Sequence, residues 1–446
     1  MVFKKILFIV VGVLLFYSCK KSDNSSPTPA NSEVGKLPVL YQDTLERQYS
    51  SFNEAIYYIF RDVYYWNSNT PKGYDYNKFS DPQDLVDDLK KKPEDRFTFI
   101  ADKQTTEQYF NSGTSFDPGF VVGRDDSSTV ALFYVEPNSA AAKAGLYRGE
   151  RIIKIGGKDI ETAIKDQSYA TIMSQSTIQL ELKDTANKTV TATVSGISYT
   201  SQTVLHKSII NRGSKKIGYL VFNSFIETSE QELTNAFAYF KSNGINELIV
   251  DLRYNGGGIL DIAVQLSSLI AGNKGKGKDL YRMKYNQDYQ SENTSIKFND
   301  SIPNTLNINR VFFIASKYTA SASEAVINGL YPAFGRENVF IIGNKTYGKP
   351  YASIPLGYQN YLIFPIVLSI FNGNDEGNYS SGLSPNAYRY DIVRYDWGDT
   401  RDNCLKEAVN YISTGQFSGT IMREEFIDQS HTFIYPKPRS VLILNK

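Results

Sequence analysis

The stretch Val250-Asp251-Leu252-Arg253-Tyr254-Asn255-Gly256-Gly257-Gly258 closes one apolar run, 247–252, and opens another, 259–271. The first run is short and almost wholly apolar, which is how a strand covered on both faces reads. The second has helical length, so the segment reads as strand, glycine turn and helix. Outward from it the alternation continues: strand 217–222, helix 230–241, strand Val311–Ala315, helix 320–331 and strand 339–342. The expected fold class is α/β, with a buried sheet behind the glycines. Three glycines let backbone N–H groups face an anion at a helix N-terminus, and they also suit a plain tight turn. A dinucleotide fingerprint needs a further glycine where Asp261 stands.

At 446 residues the chain has room for two or three domains. Its 48 Lys+Arg against 47 Asp+Glu, without basic blocks, offer no clustered positive face for nucleic acid. Histidine occurs twice, at His206 and His431, and cysteine twice, at Cys19 and Cys404. That excludes a His/Cys zinc site and a disulfide scaffold, and argues against a histidine-based triad. No metal or organic cofactor is implied. Chemistry falls to Ser, Lys, Asp, Glu, Arg or Tyr.

Lys4 and Lys5 precede an apolar run, 6–16, too short to span a bilayer. Residues 1–18 read as a secretory signal. Phe16-Tyr17-Ser18-Cys19 resembles the lipobox of bacterial lipoproteins, with Phe16 replacing the usual Leu. The resemblance implies acylation of Cys19 and a lipid anchor in the bacterial cell envelope. Residues 19–44, rich in Lys, Ser, Asn and Pro at their start, read as a flexible tether. Cys404, beside Leu405 and Ala408, reads as a packed free thiol.

Residues 45–115 read as a helical N-terminal domain, with Phe52, Ile56, Ile59 and Val63 at helical spacing. Its aromatics, Tyr57, Tyr58, Tyr64, Tyr65 and Trp66, are expected in the core. Residues 116–204 change to short β runs. Within them, Pro137-x-Ser139-Ala140-Ala141-x-x-Ala144-Gly145-Leu146 and Gly149-Glu150-x-Ile152 resemble a PDZ domain of the bacterial secreted type, Glu150 standing for Asp. The resemblance implies capture of an extended C-terminal peptide by strand addition, with N–H donors from the loop at Gly119, Phe120 and Val121. Residues 205–415 carry the alternating α/β pattern, with 273–308 expected as a polar surface excursion. Residues 416–446 read as a tail without an assignable role.

Gly343-Asn344-Lys345-Thr346-Tyr347-Gly348-Lys349 has the spacing of a phosphate loop, but Pro350 stands where a magnesium-holding hydroxyl is needed. Ser321 opens a helix, where unpaired N–H groups would stabilise an oxyanion. With Glu324 three residues on, it equally reads as a capping box. In order, Asp251-Leu252-Arg253-x-Asn255-x-Gly257-Gly258, Ser321-Ala322-Ser323-Glu324 and Thr346-Tyr347-Gly348-Lys349 resemble the carboxyl-terminal processing (tail-specific) protease family. Gly382-Leu383-Ser384-Pro385-Asn386 resembles a segment near the end of that family's protease domain.

The resemblance implies a crotonase/Clp-like α/β protease domain in which a Ser/Lys dyad hydrolyses peptides. Ser321 is then the nucleophile and Lys349 the general base. Ala322 with Gly257 or Gly258 supplies oxyanion N–H groups, and Asp251, Arg253 and Glu324 are supporting residues. A lysine base must have its pKa lowered from ~10.4 toward 7 by burial; apolar Ile341, Ile342 and Tyr347 lie upstream to provide it. Two departures stand out: Ser353 occupies the place of a family Gln, and the stretch between Ser321 and Lys349 is longer than usual. Ser323 is the competing nucleophile. The expected function is an envelope-anchored serine endopeptidase that takes protein or peptide substrates by their C-termini. The alternative is a catalytically inactive PDZ-containing binding lipoprotein. A binder of small hydrophobic ligands on the same core, as in interphotoreceptor retinoid-binding protein repeats, would need neither Ser321 nor Lys349.

Overall fold

The computed structural model describes residues 49–419, together with strands 432–435 and 441–443. The expected signal, the acylated Cys19 and the tether lie outside the described residues. The architecture is mixed α/β, with a helical N-terminal region, a PDZ domain and a larger α/β domain.

A six-stranded sheet organises the larger domain, in the order Val204–Arg212, Lys215–Phe222, Glu247–Asp251, Val311–Ala315, Val339–Gly343, Ala387–Tyr388. The first pair is antiparallel and every later pair parallel. Alternation of side chains divides its strands between two cores. Leu248, Val250, Val311, Phe313, Val339 and Ile341 pack under helices Ser229–Ser242, Leu260–Ala271 and Ala322–Phe334. Ile249, Phe312, Ile314, Phe340 and Ile342 pack under helix Asn403–Thr414, which contributes Cys404, Leu405 and Ala408. Burial on both faces is why these strands lack polar alternation. Cys404 is free and buried, and burial pushes its thiol pKa well up, so it is an inert packing residue.

A second six-stranded sheet is built largely from residues after 278. Strand Asp279–Tyr285 pairs with Thr294–Lys297 and with Ile366–Asn372, which in turn pairs with Tyr351–Ser353. The expected surface excursion at 273–308 is thus corrected: Leu280 and Tyr281 are fully buried in the main core. Arg282 and Lys284, alternating with Tyr281, Met283 and Tyr285, masked a one-sided strand.

The helical region is not a separate globule. Phe52, Ile56, Ile59, Phe60, Leu85 and Phe97 share one core with Leu356, Tyr358, Ile363 and Ile366. Strand Phe99–Asp102 pairs antiparallel with Tyr361–Phe364. Tyr57 and Tyr64 are buried as expected, whereas Tyr58 is exposed. The PDZ domain has its own core, beneath antiparallel strands Phe120–Arg124, Val130–Val135, Arg151–Ile155, Thr177–Lys183 and Thr189–Ser195. Ser139 caps its short helix by accepting the Ala142 N–H. The tail, read from sequence as without role, supplies two strands: Thr432–Tyr435 joins the PDZ sheet and Val441–Ile443 the second sheet.

One buried ion cluster locks the PDZ domain to the larger domain. Arg253 donates to Asp251 at 2.7 Å, to Asp391 at 2.8 Å and to Asp402 at 2.9 Å. Arg148 of the PDZ domain donates to the Tyr254 hydroxyl at 3.0 Å and stacks over Trp397 at 4.0 Å. Tyr254 in turn donates to Asp391 at 2.5 Å. Arg253 and the three aspartates are each almost wholly buried, so removing the guanidinium leaves carboxylates uncompensated. Arg253→Met should therefore destabilise the protein by about 3–5 kcal/mol in urea denaturation; a loss below about 1 kcal/mol would show that the cluster is dispensable.

Candidate active site

Glu324 is fully buried on the first turn of helix Ala322–Phe334. Its Oε1 accepts from the Thr346 hydroxyl at 2.6 Å and the Gly348 N–H at 2.7 Å. Its Oε2 accepts from the Lys349 N–H at 2.8 Å and the Ser321 N–H at 2.9 Å. One carboxylate oxygen thus ties the backbones of Ser321 and Lys349, 28 positions apart in the chain, to a common point. Burial raises the Glu324 pKa, against these four donated hydrogen bonds that lower it.

Ser321 has φ +61° and ψ −112°, a conformation that non-glycine residues rarely adopt and that a plain N-cap does not use. Its Oγ is buried and makes no hydrogen bond among the described residues. The competing Ser323 is different: its hydroxyl is spent on the Asn255 carbonyl at 3.1 Å. Ala322 opens the helix, so its N–H has no intrahelical acceptor.

The glycine turn is pinned to the same place. Asn255 donates to the Phe222 carbonyl at 3.0 Å, and its carbonyl accepts the Ala320 N–H at 3.1 Å. Its Oδ1 accepts the Gly257 N–H at 2.9 Å, so that group is engaged and does not point at an oxyanion. Gly257 and Gly258 form strand Gly257–Ile259, which packs against helix Ala322–Phe334. On one side of this strand Phe225 donates to the Gly257 carbonyl at 3.1 Å and accepts from Ile259 at 2.8 Å. Alternation along the strand then turns the N–H and C=O of Gly258 to the opposite edge. At Gly258, φ is +140° and a Cβ would sit 2.0 Å from the Phe225 carbonyl oxygen, so only glycine fits.

Lys349 is fully buried between loop Gly343–Gly348 and strand Tyr351–Ser353. Desolvation lowers its pKa to about 7, while the charges of Asp95 and Glu324 pull the other way. Its Nζ stands 5.3 Å from the centre of the Phe97 ring. Asp95 is itself fixed, accepting from the Tyr64 hydroxyl at 2.7 Å, the Thr98 hydroxyl at 2.6 Å and the N–H groups of Phe97 and Thr98. The helical region therefore walls the lysine, a contribution absent from the sequence reading. Its signal was present in Asp95-x-Phe97-Thr98, an aspartate able to cap the turn that follows it.

Asp251 and Arg253, expected as supporting residues, pair with each other within the ion cluster. The Ser353 hydroxyl is buried without a hydrogen-bond partner among the described residues, so the expectation that it orients the lysine amine is corrected. In the PDZ loop, Gly119 donates its N–H to Asp117 at 2.6 Å, while Phe120 and Val121 are buried and paired to strand Val130–Val135. Asn386 accepts the Ile341 N–H at 2.7 Å and Leu383 donates to Thr346 at 2.7 Å, so segment 382–386 braces the lysine loop.

Family models match three consecutive parts of the chain: the peptidase S41 N-terminal domain at 51–99, the PDZ domain at 117–183 and peptidase family S41 at 216–387. The chain is thus similar to peptidase family S41 over residues 51–99 and 216–387, on either side of its PDZ match. Among curated relatives, it is 25% identical over 304 residues to a probable CtpA-like serine protease of Staphylococcus aureus, an alignment covering 66% of this chain and 55% of that one. It is likewise 25% identical over 283 residues to the carboxy-terminal processing protease CtpA of Bacillus subtilis, covering 62% of this chain and 57% of that protein. The chain thus spans about half the length of these curated relatives. In fold it is similar to the crystal structure of a putative S41 protease from Bacteroides fragilis, with a TM-score of 0.68 and 24% identity, covering 81% of this chain and 97% of that one.

The buried amine also leaves a mark on stability. With the folded pKa near 7 and the ordinary value at 10.5, the unfolded chain holds the extra proton between these limits. Stability conferred relative to Lys349→Met should therefore rise with pH across that window, by at most ~1.4 kcal/mol per pH unit. Denaturation of both proteins at pH 6 to 10 measures it; parallel curves would mean an unshifted lysine.

Proposed function

We propose that this protein is a serine endopeptidase whose nucleophile is Ser321 and whose general base is Lys349. The observation that carries the reading is the shared Glu324 clamp, which joins a strained, unpartnered serine hydroxyl to a buried lysine of depressed pKa. In the reaction, Ser321 Oγ attacks the substrate carbonyl while its proton passes to neutral Lys349. The N–H groups of Ala322 and Gly258 receive the tetrahedral oxyanion. Collapse expels the amine, which takes the proton from Lys349. Water, deprotonated by Lys349, then releases the acyl group. The family match and the two CtpA-named relatives support a serine protease.

The test is cleavage of casein by residues 20–446, with fragments read by mass spectrometry. Wild type should cleave, while Ser321→Ala and Lys349→Ala lose at least about 10³-fold. Because the active form carries neutral Lys349, kcat/KM should rise about tenfold per pH unit below the lysine pKa and level off above about 7. Cleavage that survives Ser321→Ala removes the site assignment. A folded wild type that never cleaves favours the inactive binding lipoprotein, a reading supported by the unpartnered Ser353 hydroxyl.

The PDZ domain supports capture of a substrate C-terminus at the edge of strand Phe120–Arg124. The leader and lipobox-like Phe16-Tyr17-Ser18-Cys19 support an envelope protein anchored through Cys19. Cells grown with radiolabelled palmitate should label the wild-type protein and not Cys19→Ser; equal labelling would remove the anchor.

A further inference from the structure

We infer that the C-terminal tail is an intramolecular ligand of the peptide path, holding the PDZ edge and the glycine strand together until another peptide displaces it. The inference deepens the protease reading and rests on its assignment of the groove.

At the PDZ edge, Thr432–Tyr435 pairs antiparallel with Phe120–Arg124, setting Thr432 opposite Arg124, Phe433 opposite Gly123 and Tyr435 opposite Val122. The other edge of Phe120–Arg124 is already taken by Val130–Val135, so the tail fills the edge that a peptide would join. It runs from Arg124 toward Phe120, the direction of a peptide whose C-terminal end approaches the Gly119 loop. At that loop, the Gly119 N–H is held by the Asp117 carboxylate.

Beyond residues 436–440, Val441–Ile443 lies parallel to Gly257–Ile259, with Leu442 opposite Gly258, and pairs Ile443 with Ser353. This is the edge to which Gly258 turns its N–H, its other side being closed by Phe225. The tail backbone therefore covers the oxyanion donor itself and bridges the glycine strand to the strand that follows Lys349. A segment tethered in this way competes at an effective concentration of about millimolar, enough to weaken a free peptide of ~100 μM affinity about tenfold.

The test uses a fluorescein-labelled peptide of residues 430–446 and three proteins in the Ser321→Ala background, so that binding is read without cleavage. These are the chain 20–446, the same chain with Leu442→Pro, and the chain ending at residue 419. A proline at the centre of the strand removes a ladder bond whichever neighbour it faces, while leaving the protein at full length. By anisotropy, the peptide should bind the shortened chain and the Leu442→Pro chain at least about tenfold more tightly than the unaltered chain. Equal affinity for all three, or no binding to either altered chain when circular dichroism shows both folded, would overturn the inference. The same peptide added to catalytically intact shortened chain should inhibit casein cleavage. If the binding difference holds but no form cleaves casein, the tail inference stands and the protease reading fails.

Discussion

The carboxylate of Glu324 is the interaction on which the site depends, because it is where separate pieces of the fold meet. Ser321 comes from the turn after strand Val311–Ala315, and Lys349 from the loop after strand Val339–Gly343. These strands are parallel neighbours, so their C-terminal ends open on the same side of the sheet. Topology alone brings the two loops close, but only to within the slack of a loop. Four hydrogen bonds to one buried carboxylate remove that slack, and burial makes each of them costly to break. The same geometry sets Ser321 at positive φ, a strain sustained by its surroundings rather than by its own preference.

Desolvation of Lys349 follows from where the chain places its N-terminal helices. Phe97 faces the amine, and Asp95 provides a fixed negative charge that limits how far burial can depress its pKa. Asp95 satisfies its oxygens on Tyr64, Phe97 and Thr98, so its position is fixed. Arg96 ties the same turn to the lysine loop by donating to the Tyr347 carbonyl at 2.9 Å. A region that looks like an accessory cap is thus part of the electrostatic surroundings of Lys349.

Much of this was legible in the sequence, for identifiable reasons. Strands covered on both faces, such as Val311–Ala315, announce themselves as apolar runs, and the glycine turn, the Ser-x-x-Glu helix start and the lysine loop each carry fixed local chemistry. What local pattern cannot convey is partnership across long separations. Strand Asp279–Tyr285 reads as polar because half its residues face outward, and Asp95 reads as one acid among many until its turn is seen against Lys349. Ser353 offers a hydroxyl near Lys349 in the sequence, but its Oγ has no partner among the described residues. The tail carries a local signal of its own: Thr432-Phe433-Ile434-Tyr435 and Val441-Leu442-Ile443 are rich in strand-forming residues within an otherwise polar stretch.

That tail answers a problem posed by the fold itself. A protein that binds extended peptides must keep strand edges unpaired, and unpaired edges also recruit other chains indiscriminately. Here two such edges exist, Phe120–Arg124 in the PDZ sheet and Gly257–Ile259 beside Ser321, and both must be free at once for a peptide to run from one to the other. Covering them with one tethered segment protects both with a single chain, and its release exposes both together. Only a peptide that competes along the same path can open it, so the cover becomes part of how a substrate is chosen. The ion cluster of Arg148, Arg253, Asp391 and Asp402 makes this workable, since it fixes the PDZ edge relative to the glycine strand instead of letting the two swing apart.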